Sequence, residues 1–532
     1  MAMKIKGIIT ILGIFVLLTI SSYALQPIES NGGTVTTAEE FVTALGGDDA
    51  AYFNGNNIIL KSDITLTAPI VITEGEYIIN GTGCYIYLGK DIEAMFIVEG
   101  EDTKLILGND KGSDAHPSLS LFGNGKKGGA VILRNSNLDI YSGTLISGFK
   151  ADNGAGLNID DSIVNIYGGV FEYCEAINGG AMCLESGEIT IYRGLINYCK
   201  ADNGGAIAIH GGTLYSGLCT FGYNEAMNGG AVFVGGGGEF YMTNGSLEYN
   251  KASDGGAVYI MDGSFYFLGG YIVYNDALEN GGAIYNNGIY SSGKLNINNQ
   301  FATPLIYNTA ANGAAVYNSG EFEYENGDMT YNTASECAGG IYNTGTVKMT
   351  GGSISMNESE GRCGGVMNLG KFIMSDGSIS SNKSASTAKG MENWGELYLA
   401  GYCFISFNND VIIGNRAKVE IVTPLIHLTA TTPVATFTPV SGYFNGDQFP
   451  DYEIGRVIVT GDAEVLQAAF DNDRLAVTSG KDGTWFIDAE GTLQFKKNPF
   501  NLNLIIMISL IVLVIVIMAI MFIRNMKRKR LE

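Results

Sequence analysis

Two stretches of this sequence carry the residue types of acid–base chemistry, Asp160-Asp161 and His210-Gly211. Cleaving a glycosidic bond with inversion needs two carboxyls flanking the bond, with room for a water. A lyase needs an acidic calcium site beside an Arg or Lys that accepts a proton. Here the acids lie two repeats from the histidine, and no Arg-x-Lys element follows at a matching place. No repeat presents the lyase set, and a solvated turn accounts for Asp160-Asp161. His116 and His427 stand alone, so neither a metal site nor a cofactor is indicated.

Aromatic residues form a more regular candidate. Phe233, Tyr259, Tyr285, Tyr317 and Tyr342 occur once per repeat, at a position that alternation directs outward. A second run, Tyr173, Tyr198, Tyr223, Tyr249, Tyr274, Tyr307 and Tyr331, sits at a strand end. An aromatic ring with a polar tip suits wet recognition of a sugar or a protein. Stacked rings can equally do no more than stabilise neighbouring strands.

These residues are positioned by a repeat. The aliphatic residue after a Gly-Gly-Ala-type element recurs at Val131, Leu157, Met182, Ile207, Val232, Val258, Ile284, Val316, Ile341, Val366 and Met391. The interval is 25 or 26 residues, with one of 32 that implies an insertion between residues 286 and 304. Such a period, with 74 Gly and only 9 Pro, predicts stacked β-coils. Two further runs of alternating apolar residues per repeat, Phe240/Met242 and Leu247 for example, predict three short strands per coil. At about 4.8 Å per coil, the eleven repeats make a rod on the order of 50 Å long.

Two polar columns are expected inside. Two residues after the aliphatic column, an apolar series gives way to Asn286, Asn318, Asn343, Asn368 and Asn393, an amide ladder along the axis. Asn224, Asn250, Asn275, Asn308, Asn332, Asn357, Asn382 and Asn408 form another. Cys174 and Cys199 hold its place in two earlier coils. Adjacent coils would bring them within disulfide range, while buried reduced thiols are the equal alternative.

The pattern resembles right-handed parallel β-helix surface proteins of the pectin-lyase-like superfamily, and more narrowly the repeats of chlamydial polymorphic membrane proteins. Gly204-Gly-Ala-Ile207, Gly229-Gly-Ala-Val232, Gly255-Gly-Ala-Val258 and Gly281-Gly-Ala-Ile284 match one family element, and Phe221-Gly-Tyr-Asn224 matches the other. The likeness covers roughly half the chain. It implies an all-β, right-handed parallel β-helix and an exposed, adhesin-like role. Asp160-Asp161 and His210-Gly211 superficially resemble elements of polygalacturonase-like enzymes. That chlamydial family ends in an outer-membrane β-barrel, and this chain does not.

The two ends set the expected topology. Lys4 and Lys6 precede an apolar run, and Ser22-Tyr23-Ala24 supplies small residues, so 1–24 reads as a signal peptide. Residues 25–127 are expected to be an N-terminal cap, with a helix over 37–45, and the first rungs. Regular repeats fill 128–408, and 409–497 hold irregular rungs and a β-rich closing module. Residues 504–523 contain only Ser509 as a polar residue and read as a transmembrane helix. The basic segment 524–532 then stays cytoplasmic. The net charge of −23 argues against nucleic acid as a partner. The sequence thus describes a single-pass, cell-surface β-helix that binds glycans or a surface protein. A membrane-tethered polysaccharide lyase or hydrolase, or a bare stalk, would share this architecture.

Overall fold

The computed structural model describes residues 27–528, apart from 82, 110–117, 289–292, 300–303, 386–387, 407–409, 415–416, 427–432, 440–441, 445–446, 450–455, 479–482 and 498–501. The proposed signal peptide, His116, His427, Asn408 and part of the 286–304 insertion lie outside these residues.

The repeat builds a parallel β-solenoid of about 14 turns. The first sheet is an unbroken parallel ladder from Gly33–Val35 to Leu475–Val477. Its central rungs pair Val131, Leu157, Met182, Ile207, Val232, Val258, Ile284, Val316, Ile341, Val366 and Met391 in direct register. All eleven are fully buried. Ile284 meets Val316 across the long interval, so the extra residues leave the sheet register intact.

The second and third runs of each repeat do not form separate sheets. Both belong to one long parallel sheet, and in several coils they are one strand, as in Gly187–Asn197 and Lys371–Ser380. Gly194 and Gly377 lie at the bend in these two strands, where a glycine lets the chain turn without leaving the ladder. The remaining face is formed by the segment before each glycine pair. In the early coils it makes only isolated bridges. From Lys251–Asp254 to Lys383–Ser384 it becomes a third, six-stranded parallel sheet. Alternation did not reveal these strands because they are short and rich in Ala, Ser and Thr.

The interior is aliphatic and aromatic over most of its length, then takes on amides. Asn286, Asn318, Asn343, Asn368 and Asn393 are buried, and each of the first four donates from Nδ2 to Oδ1 of the next at 2.6–2.8 Å. The longer column behaves alike from Asn224 to Asn357, each Nδ2 reaching the next Oδ1 at 2.9–3.1 Å. There the backbone N–H of each rung also donates to the next Oδ1.

Helix α1 (Ala38–Leu45) covers the first coil. Thr37 caps it, with Glu40 completing a reciprocal capping box. Phe41 packs on Tyr77 and Phe96, closing the apolar end of the stack. Near the other end, helix α2 (Ala463–Asp471) buries Leu466 and Ala469 and contacts the strand Lys418–Leu425. Over residues 456–459 the chain makes only an antiparallel bridge, Val457 to Thr492. Antiparallel strands Gly483–Ile487 and Leu493–Lys497 follow. Helix α3 runs from Leu502 to Arg528. Among the described residues no helix is long and apolar enough to cross a membrane. In α3 the unbroken run of described side chains spans residues 510–524.

Asn275 tests the amide ladder. Its side chain donates to Leu247 O and Asn308 Oδ1 and accepts both the N–H and the Nδ2 of Asn250. Asn275→Ala orphans buried donors on Asn250 and should cost about 2–3 kcal/mol in urea unfolding. Coils contact only their neighbours, so amide hydrogen exchange should accelerate around residues 247–308 and leave distant coils unchanged.

Candidate functional site

The first-sheet aromatics are brought together as one column. Phe233, Tyr259, Tyr285, Tyr317 and Tyr342 pair in register, with ring centroids 4.9–5.7 Å apart. Phe233–Tyr259 and Tyr317–Tyr342 are stacked, whereas Tyr285 meets both neighbours edge-on. Their side is the one expected, opposite the core. Their exposure is not, because Phe233 is buried and the four tyrosines are half-buried. Desolvation raises the phenol pKa of Tyr285 and Tyr317, and that of Tyr342 to about 12. The Asn287 amide also donates to Tyr259 OH at 2.8 Å. This column is partly covered and does not form an exposed ridge.

The second run is the exposed one. Tyr173, Tyr198, Tyr223, Tyr249, Tyr274, Tyr307 and Tyr331 are each 41–57% exposed. Successive rings lie 5.0–5.4 Å apart at angles of 4–25°. All seven have φ between 54° and 58°, in the left-handed region. Met356 and Ser381 continue the same conformation in the next two coils, so the corner requires it whatever the side chain. The following residue turns inward as Cys174, Cys199 or a ladder asparagine. Four residues after three of these tyrosines, Ile177, Met227 and Leu278 are also exposed.

The energetics bear on why tyrosine stands there. A non-glycine residue in the left-handed region costs about 1–3 kcal/mol, and an aromatic pair returns about 0.5–1.5 kcal/mol. Seven strained residues share six stacking contacts. Stacking therefore does no more than offset the strain, and glycine or asparagine would satisfy the corner at lower cost. Stability alone gives no reason for seven consecutive tyrosines.

A third polar column was present in the sequence but went unread, because its residues precede the glycines and look like turn punctuation. Asn153, Asn178, Asn203 and Asn228 bridge in succession, with Nδ2 of each later residue donating to Oδ1 of the one before at 2.9–3.0 Å. This polarity is opposite to that of the two inner ladders. Asp254 takes the next place and accepts from Asn280 at 2.9 Å. An ionised Asp254 has no N–H to return to Asn228, so the amide chain is interrupted there.

No disulfide joins Cys174 to Cys199. The two thiols point the same way, each donating to the carbonyl two residues before it, Glu172 O at 3.5 Å and Asn197 O at 3.3 Å. Burial, with Cys174 alongside, raises the Cys199 thiol pKa well above its ordinary value. Cys337 bridges Arg362, which leaves Cys363 one residue out of register.

Asp160 and Asp161 are held in a turn. Asp160 accepts from the Ser186 hydroxyl, and the Asp161 N–H donates to the same Oγ, both at 2.8 Å. His210 lies against Phe233, with ring centroids 5.9 Å apart. Among the described residues, no group of three or more His, Cys, Asp or Glu is placed to hold a metal ion. No family model matches the chain, and no curated protein or solved structure matches it.

Asp254 gives a test with a definite sign. Burial raises its carboxyl pKa above the ordinary value, and the Asn280 hydrogen bond only partly opposes this. Folding therefore favours the protonated acid, and that contribution is lost as pH rises through the folded pKa. Asp254→Asn restores the missing donor and should raise the melting temperature at neutral pH. Its advantage over the wild type should shrink as pH falls toward the acid range in thermal melts of the two proteins.

Proposed function

We propose that this chain is a membrane-anchored, adhesin-like surface rod that docks a cell-surface protein along its exposed tyrosine corner. The observation that carries this reading is the run of seven stacked tyrosines, one per coil, that stay 41–57% exposed along one edge of the rod. Exposed Ile177, Met227 and Leu278 add apolar surface beside the corner in alternate coils, with Asp202 and Ser253 between them. Exposed aromatic and apolar groups gathered on one edge favour protein contact.

A protein partner fits the ring geometry better than a sugar chain. Stacking of a sugar needs an open ring face, and here each interior ring has both faces occupied by its neighbours. What remains accessible is a line of ring edges and hydroxyls. Such edges suit the side chains and backbone of a flat protein surface.

Anchoring is supported by α3. Its described large side chains from Leu510 to Ile523 are aliphatic, Met or Phe and all exposed, and Arg524 follows. The apolar sequence 504–523 and the N-terminal leader agree with an exterior rod on a single helix. The likeness of the repeats to chlamydial surface proteins supports the same role.

The test uses the full chain in detergent, coupled to beads and offered to a panel of cell surfaces. Tyr223→Ser/Tyr249→Ser/Tyr274→Ser should lower adhesion at least about tenfold, the scale of losing aromatic anchors from an interface. The change removes four ring contacts, so it should lower stability by about 2–6 kcal/mol while the inner amides keep their hydrogen-exchange protection under native conditions. Protease treatment of the target cells should abolish binding, and periodate should not. Equal adhesion by the variant sinks the tyrosine-corner reading. Absence of adhesion to every surface makes the rod a stalk.

A further inference from the structure

We infer that the face bearing the tyrosine corner docks a second copy of this chain, antiparallel, so that rods anchored on two facing surfaces hold one another. The inference rests on the adhesive reading of that face and adds the identity of its partner. It is carried by a column of alternating charge beside the tyrosines.

Two residues beyond the corner, six successive coils present Lys150, Glu175, Lys200, Glu225, Lys251 and Asp276. Each bridges the next in register, and all six are exposed. The sign of the charge therefore reverses at every step of about 4.8 Å. Lys127 before and Thr309 after end the alternation. Lys150 pairs with Glu175 at 2.6 Å and Lys200 with Glu225 at 2.7 Å. Both partners of each pair remain more than half exposed, so their charge still faces water and a second copy.

Alternation dictates how two copies meet. A half-turn about an axis across the rod, midway between Lys200 and Glu225, lays the column over itself in reverse order. Lys200 then faces Glu225 of the second copy, Glu175 faces its Lys251, and Lys150 faces its Asp276. Every level is opposite in sign. Two rods paired in parallel, about an axis along their length, would set Lys against Lys and Glu against Glu at each level, which opposes docking. The antiparallel pair is the closed two-fold arrangement that satisfies the column.

The flanking columns accept the same half-turn. On one side Tyr198 meets Tyr223 of the second copy and Tyr173 meets its Tyr249. Tyr274 faces Gly148, which holds the same left-handed corner with no side chain. On the other side each large apolar group faces a shorter residue, Ile177 opposite Ser253, Met227 opposite Asp202 and Leu278 opposite Asp152. A face about 29 Å long and about 13 Å wide offers on the order of 400 Å² per copy. That is the size of a weak contact, and many rods on each surface supply the strength. Antiparallel docking also sends the two C-terminal ends in opposite directions, as anchors on facing surfaces require.

The test uses the full chain reconstituted in phosphatidylcholine vesicles, with clustering followed by turbidity. Wild-type vesicles should cluster with one another and not with protein-free vesicles, more slowly as salt rises. Lys200→Glu sets two acids opposite each other and Glu225→Lys two amines, so each variant alone should cluster at least about tenfold more slowly. Mixing the two variant populations restores both contacts and should bring clustering back to within about twofold of wild type. Misfolded protein would give no such recovery. Absence of clustering by the wild type, single variants that cluster unchanged, or no recovery on mixing overturns the pairing of copies. If that happens while cell adhesion still falls with the tyrosine variant, the corner keeps its role with a different protein partner. Clustering that obeys the charge swap while adhesion ignores the tyrosine variant upholds the pairing and removes the corner's role.

Discussion

One interaction recurs from Asn224 to Asn393, a buried side-chain amide that donates to the same amide one coil further on. From Asn250 to Asn382 each Oδ1 of the longer column receives both the side-chain and the backbone N–H of the preceding rung. A corner that departs from the sheet leaves backbone donors without ladder partners, and burial makes that costly. The asparagine supplies the partner. It also fixes the register, since a one-residue slip would exchange every amide for a side chain of the opposite face. The left-handed corner turns the next residue inward, whether it is a ladder asparagine or Cys174 or Cys199.

That constraint explains the different fates of the two aromatic columns. In the first sheet the aromatic lies between two inward residues, and the adjoining turn partly covers it. Tyr285 is therefore half-buried and its phenol desolvated. At the corner the tyrosine precedes the inward amide and stands clear of both sheets. The same residue type, at nearly the same period, is half-buried in one place and forms a surface in the other. Functional weight shifts accordingly from Tyr259 and Tyr285 to Tyr223, Tyr249 and Tyr274.

Polar ladders running in both directions also bear on assembly. The two inner ladders donate toward the C-terminal end, and the outer one, Asn153 to Asn228, donates toward the N-terminal end. The outer ladder ends at Asn228, in the coil where the longer inner ladder begins at Asn224, so the two senses follow one another along the axis. Asp254 breaks the outer ladder where the isolated bridges of the third face give way to a continuous sheet. At the N-terminal end the solenoid is closed by α1, which keeps the edge of the first coil from pairing with another chain.

The sequence by itself determined the coil. The 25-residue period, the eleven-residue aliphatic column and the Asn286 to Asn393 ladder were all legible, because each depends on one side-chain property repeated at a fixed interval. The helix over 37–45 was legible from local signals too, while the reciprocal capping of Thr37 by Glu40 came from the structure. What only the tertiary structure decided depends on how a coil closes. Whether two runs share a sheet is set by the bend at residues such as Gly194. Whether an outward tyrosine is covered is set by the neighbouring turn, and whether Cys174 and Cys199 meet is set by which carbonyl each thiol faces.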